Sequence, residues 1–410
     1  MNSLRMIKSS YFRCFPSAHF SSDVIRKSSG RRSFSWSGWN KMLATGVVAF
    51  TCFSLFTSHQ VYSDQISCKK SKLLCVLYDA GETGGLLPVL KKLDVEGIDF
   101  QVLVMGTAET IVTPGMFGKK RLTLKDLEIT TTVDATTPRT TTLAKEVMAK
   151  FQQIDPKVVL VGAASKIQQQ VVEQFPSSTT VVFIDNFSYD KTQEAFATVN
   201  QVQSVAKHVL CPSSHTRTLF EWDPESLRPE PLYHIVGKPS LEVWEKEIAL
   251  VNRDQVLEVL NFTKDRPIVT LIGGYGPGYE IINPLFAHCA ERLEKEGFQV
   301  VQQPHPKVAP QKVKTIEALA ISQYVIGYNS SVPFDAATIG IHSLFFIPND
   351  SRTQFTHFAI DSGLISKVST IEELLEYMNR AKEPCDIRQA IGIPQGSTEI
   401  IKNLLVERME

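Results

Sequence analysis

Negative charge on a ligand calls for fixed hydrogen-bond donors, and this chain offers them where two apolar runs end in glycines. Leu73–Tyr78 leads into Asp79-Ala80-Gly81-Glu82-Thr83-Gly84-Gly85, and Ile268–Ile272 leads into Gly273-Gly274-Tyr275-Gly276-Pro277-Gly278. Both read as strand, tight turn, helix. Such a turn aims backbone N–H groups and a helix N-terminus at whatever lies above the strand, which suits a phosphate or another oxyanion. Ser330 and Ser331 offer similar donors at a second helix start, with Asp335 one turn inside. His305 sits between two prolines that fix its backbone, and Lys307 adds charge close by. Two side chains are candidates to take a proton: Glu82 in the first turn and His215 in Ser213-Ser214-His215-Thr216.

These groups need a scaffold that points them one way. From residue 72 strand-like and helix-like segments alternate, the pattern of parallel sheets covered by helices. The first series is Leu73–Tyr78, Phe100–Met105, Val158–Val161, Thr180–Ile184, His208–Cys211 and Tyr233–Val236. The second is Ile268–Ile272, Gln299–Gln303, Tyr324–Gly327 and Ser343–Ile347. Helical patterns cover Thr141–Gln153, Lys166–Gln174, Leu241–Leu260, Ile371–Arg380 and Ser397–Arg408. The Thr-rich stretch Thr130–Thr142 lacks periodicity and reads as a solvated connector. The predicted architecture is α/β, with two Rossmann-like parallel-sheet domains facing a cleft. Residues 72–236 form the first domain, 237–264 a linker, 265–385 the second domain, and 386–410 a C-terminal helix.

The formal charge of zero hides an asymmetry: residues 1–63 carry eight Lys/Arg and one acid, and the remainder carries a net charge of −7. An acidic body without a basic cluster or zinc-finger spacing argues against nucleic-acid binding. Seven cysteines, none in a C-x-x-C, give little support to a metal or redox site and fit buried thiols in a reducing compartment. Residues 1–41 are rich in Ser and Arg, and Met42–Phe56 gives 15 residues without charge. That is short for a membrane span and close to a signal core or a short anchor. A mitochondrial transit peptide, a twin-arginine signal around Arg31-Arg32 and an uncleaved anchor compete. The expectation is a membrane-tethered protein, held through residues 42–56, or an organelle-imported one. Sequons begin at Asn186, Asn261, Asn329 and Asn349. Two of them fall in expected cleft loops, which argues against a glycosylating lumen.

The motifs resemble those of the GT-B glycosyltransferase superfamily. Ala80 to Pro88 is similar to the first glycine loop of peptidoglycan GlcNAc transferases and lipid-A-disaccharide synthases. Gln303-Pro304-His305-Pro306-Lys307 resembles the His-Pro element of GT-B and CDP-glycerol transferases. Tyr328 to Ala336 resembles the donor-site turn of UDP-GlcNAc 2-epimerases, and Gly237-Lys238-Pro239 is similar to the Gly-Asn-Pro that opens their interdomain linker. The resemblance covers roughly residues 72–405. It implies a donor nucleotide sugar, UDP-linked, over Gly273, Gly274, Tyr275 and Gly276, with Ser330 and Ser331 on its diphosphate and Asp335 on the ribose. His305, Lys307 and Arg352 would contact the donor, and Gly81, Thr83, Gly84 and Gly85 would form an acceptor-side loop. No cofactor or metal is implied, since fixed N–H donors can stabilise the leaving diphosphate.

One departure matters: Leu86 stands where related enzymes place His or Asp, which leaves Glu82 or His215 as the expected base. The expected activity is metal-independent transfer of a sugar to an acceptor hydroxyl. The rivals are a 2-epimerase, a CDP-glycerol-type transferase and, given Leu86, a non-catalytic nucleotide-binding scaffold.

Overall fold

In the computed structural model, β1 (Leu73–Leu77) to β7 (Leu232–Ile235) build one wholly parallel sheet in the order β3-β2-β1-β4-β5-β6-β7. Between them come β2 (Phe100–Val104), β3 (Arg121–Leu122), β4 (Val158–Val161), β5 (Thr179–Phe183) and β6 (His208–Cys211). A second parallel sheet has the order β12-β11-β10-β8-β9. Its strands are β8 (Ile268–Ile272), β9 (Gln299–Gln303), β10 (Tyr324–Gly327), β11 (His342–Phe346) and β12 (Ser366–Val368). The structure describes residues 71–189, 194–220, 229–305, 308–355, 357–380 and 385–410. All of them lie in one compact unit, 63–410.

The parallel arrangement explains why the central strands read as unbroken apolar runs: helices cover both faces, so every position is buried. Leu73, Cys75 and Leu77 pack with the helix Ala80–Val95, whereas Leu74 and Val76 join Phe151, Val159 and Ile167 on the other face. The final helix, Ser397–Met409, returns to the first sheet. There Ile401, Leu405 and Met409 share a core with Leu86 and Leu90. Glu242 of the helix Pro239–Leu250 caps that final helix, accepting from Thr398 Oγ1 at 2.8 Å.

Several elements depart from the sequence pattern. The two- and three-residue edge strands β3 and β12 are too short to show one. The segment expected as one helix over Leu241–Leu260 is two, Pro239–Leu250 and Arg253–Leu260, because the Asn252 side chain accepts from Gln255 N–H and starts a new helix. The Thr-rich stretch is mostly exposed, as expected of a solvated connector, with two tethers to the first half: Tyr78 Oη donates to Thr137 O at 2.7 Å, and Arg139 pairs with Asp79. Residues 1–63 and the apolar segment 42–56 lie outside the described residues. Among the described residues no helix is long and apolar enough to cross a membrane.

In a parallel sheet the chain turns opposite ways on leaving the two neighbouring strands at a switch point, which opens a crevice at their carboxyl ends. The two crevices lie at β1/β4 and β8/β10. Asp79 and Gly162 stand at the first; Gly273 and Tyr328 stand at the second.

Candidate functional site

A cavity of about 210 Å³ lies between the two sheets. The first half contributes Arg139, Asn186, Phe187 and Tyr189; the second contributes Ser330, Ser331, Phe334, Asp335 and His357. Lys238 joins them from the connection between the halves. Two sequon asparagines, Asn186 and Asn329, also line it.

On the second half, Ser330 caps the helix Ser331–Thr338, its hydroxyl accepting from Val332 N–H at 3.3 Å. Asp335 is only 5% exposed, and both its oxygens are taken: Lys238 Nζ donates to them at 2.8 and 2.9 Å. Burial raises the Asp335 pKa and the Lys238 ammonium opposes that rise. Contact with a ribose would therefore cost this buried pair.

The turn from Gly273 to Gly278 is a true glycine turn before the helix Tyr279–Lys295. Gly276 and Gly278 hold φ of +97° and +85°, a region that suits glycine. Two of its expected donors are spent inside the protein. Gly273 N–H donates to Gln303 O at 2.9 Å, and Gly274 N–H donates to Asn283 Oδ1 at 3.3 Å. Tyr275 is exposed and its ring lies 4.4 Å from that of His305. Gly273, Gly274 and His305 line a second cavity of about 540 Å³ beside the edge strand β9. Lys307 lies outside the described residues. Arg352 is exposed and held by its neighbour Asp350, whose pKa it lowers to about 2 by hydrogen bonding.

The first glycine stretch is not a loop. Asp79 caps the helix Ala80–Val95, so Gly81, Thr83, Gly84 and Gly85 are helical. Their small size serves packing: a Cβ at Gly85 would lie 2.6 Å from the Phe183 ring, and one at Gly81 would fall on Asp185 Oδ2. Glu82 is 1% exposed and completes the capping box. Its Oε1 accepts from Tyr78 N–H, from Asp79 N–H at 3.1 Å and from Gln168 Nε2 at 2.7 Å. Desolvation lifts its pKa to about 8, so the carboxyl is largely protonated at neutral pH. It is a cap of the fold and is not presented to an acceptor in the cleft. Leu86 is fully buried in the core, so no side chain at that position faces the cleft.

His215 is half-buried and stacks on Phe358, ring centroids 3.8 Å apart, and burial lowers its pKa. Beside it, His357 is lowered to about 4 by burial, with the neighbouring His215 adding to the effect. Both imidazoles are neutral at physiological pH, packed where the two halves meet.

Comparison with solved structures places this architecture. The UDP-GlcNAc 2-epimerase of Neisseria meningitidis, solved with UDP-GlcNAc bound, superposes with a TM-score of 0.56 at 14% identity, covering 82% of this chain and 99% of that one. The Methanocaldococcus jannaschii UDP-GlcNAc 2-epimerase gives 0.54 at 14% identity, with the same coverage. The wall teichoic acid polymerase TagF gives 0.50 at 11% identity, over 85% of this chain and 91% of that one. The chain has a GT-B-like fold. No protein-family model matches the sequence, and no curated protein sequence matches it.

Within the GT-B fold, several cavity residues escaped sequence reasoning. Lys238 was legible only as part of a linker, and Arg139 only as part of a solvated connector. Asn186 and Tyr189 come just after β5, and Asp185 stands between the strand and them without lining the cavity. Polar residues just past a strand's carboxyl end were the available signal for them. Asp185 is partly exposed, its carboxyl lies against Gly81 at the start of the first helix, and desolvation raises its pKa against the opposing charge of Lys238.

Proposed function

We propose that the cleft binds a nucleotide sugar, UDP-linked, with its diphosphate beside Ser330 and Ser331 and an acceptor against Arg139, Asn186 and Tyr189. The observation that carries this reading is the cavity shared by both halves, with a serine-capped helix start opening into it. Helix N-termini favour a diphosphate that gains charge as a glycosidic bond breaks. The expected reaction is direct transfer of the sugar to an acceptor hydroxyl. Of the carboxyls at this end of the first sheet, Asp185 is the better base than Glu82: it is partly exposed, and a raised pKa strengthens it as a base. The tether through residues 42–56 belongs to the same proposal and rests on the sequence.

A second reading is a nucleotide-binding protein without turnover. It is favoured by the internal commitments of Glu82 and His215 and by the burial of Leu86. Turnover separates the two. Thermal shift against a panel of nucleotide sugars identifies the ligand, since specific binding stabilises the native state. Nucleotide release with that ligand and a hydroxyl acceptor supports transfer. Binding without release supports the second reading, and the absence of any thermal shift overturns both.

A further inference from the structure

Lys238 follows Gly237 at the exit of the first sheet and precedes the helix Pro239–Leu250. Its side chain is 8% exposed, yet it lies on the wall of the interdomain cavity. Among the described residues its ammonium hydrogen bonds go to the two oxygens of Asp335, and the Phe187 ring centroid lies 5.4 Å away. An ammonium has three N–H donors, so one is left for the cavity. Ser330 and Ser331 line the same cavity at the start of a helix whose dipole favours negative charge. Arg139 also lines the cavity and is paired with Asp79, but that pair is largely exposed. Among the described residues, the Lys and Arg side chains lining the cavity each already hold a protein carboxylate.

Stability alone gives a weak reason for such a pair. Two charges buried together recover little more than their desolvation cost, and apolar replacements of similar volume often serve as well. Phe187, Phe334, Phe345 and Phe355 surround this cavity, so an apolar contact there was available. A buried ammonium beside a helix N-terminus in a cavity is suited to receive a second anion.

We propose that Lys238 is the phosphate-binding cation of the cleft and that Asp335 is its resident counter-ion, exchanged for a phosphate group of the nucleotide. This rests on the nucleotide reading above and adds which part of the ligand is recognised. Asp335 is then a competitor for Lys238 and not a ribose ligand. An uncharged nucleoside gains nothing from the site, whereas a nucleoside diphosphate does.

The test uses the full 410-residue chain and calorimetric titration with UDP, uridine and inorganic pyrophosphate. Lys238→Met alone would strand a buried carboxylate, so the lysine-free variant is Lys238→Met with Asp335→Asn, its fold checked by circular dichroism. Asp335→Asn should tighten UDP and pyrophosphate about tenfold, since a charge-assisted hydrogen bond no longer has a rival. The double variant should lose that gain and bind both anions more weakly than the parent. Uridine affinity should stay the same throughout. Weaker UDP binding by Asp335→Asn would overturn the proposal in favour of a ribose contact. So would equal anion affinity in Asp335→Asn and the folded double variant. If no form binds UDP while pyrophosphate follows the expected order, the Lys238 assignment stands and the nucleotide reading falls.

Discussion

The carboxyl group of Glu82 occupies the space that a side chain at Gly162 would need. A Cβ on Gly162 would fall on Glu82 Oε2, at the point where β1 and β4 part. Oε2 has no hydrogen-bond partner among the described residues, whereas Oε1 accepts from two backbone N–H groups and from Gln168. The helix start over the first sheet is therefore built around one nearly inaccessible carboxyl and one absent side chain.

Gly162→Ala should destabilise the protein by about 1–3 kcal/mol, the usual range for overpacking a tight site. Glu82 cannot retreat without giving up its capping bonds, so the methyl group has nowhere to go. Thermal melting of parent and variant measures it, and an unchanged midpoint would show that the carboxyl is not held there.

Glu82 also gives the protein a pH dependence. Its folded pKa, about 8, lies above the ordinary carboxyl value of 4.5, so between those values the folded state holds a proton that the unfolded state has lost. Its contribution is fully present below the unfolded pKa and is lost as pH rises through about 8, at up to about 1.4 kcal/mol per pH unit. Glu82→Gln keeps an oxygen for the cap and cannot ionise. Urea melts from pH 5 to 9 should show a shallower fall in stability for the variant than for the parent. Parallel curves would mean that Glu82 is ionised in the fold.

Leu86→His should not create a general base. Leu86 is fully buried among Val89, Leu90 and the first sheet, so an imidazole there would be desolvated in the core. The expected cost is about 2–4 kcal/mol with no gain in sugar transfer. Melting and turnover assays on one preparation check both halves of that statement.

Asp185→Asn should separate chemistry from binding. If Asp185 accepts the acceptor's proton, the amide should lower turnover by about 10²–10⁴-fold and leave UDP affinity within a factor of two or so. Equal turnover in parent and variant would remove Asp185 from the reaction.

Much of the architecture is visible along the chain because its signals are local. A strand buried on both faces must be apolar throughout, and this marks Val158–Val161 and Ile268–Ile272 at the bounds the structure gives. Serines at positions 165, 213 and 330 start helices by accepting from the backbone just ahead, so helix starts are also local events. Strands of two or three residues, as in β3 and β12, carry too few side chains to register.

The site itself is less legible. Glycines after a strand look alike whether they form a turn, as at Gly276 and Gly278, or let a helix press onto a sheet, as at Gly81 and Gly85. Only the path of the backbone distinguishes them. Glu82 and Leu86 are one helical turn apart, yet neither reaches the cleft, because the helix is rotated to bury that face on the first sheet.

The amino-acid order by itself determined two parallel sheets, their strand–glycine–helix units and the serine-capped helix start beside the cleft, since each depends on neighbours a few positions away. The tertiary structure alone decided which charges meet there. Lys238 and Asp335 are 97 positions apart, and Asp79 and Arg139 are 60 apart. No local preference relates such residues; they pair because the folded sheets bring them together, and at Lys238, though not at the exposed Arg139, burial leaves the cation needing a counter-ion.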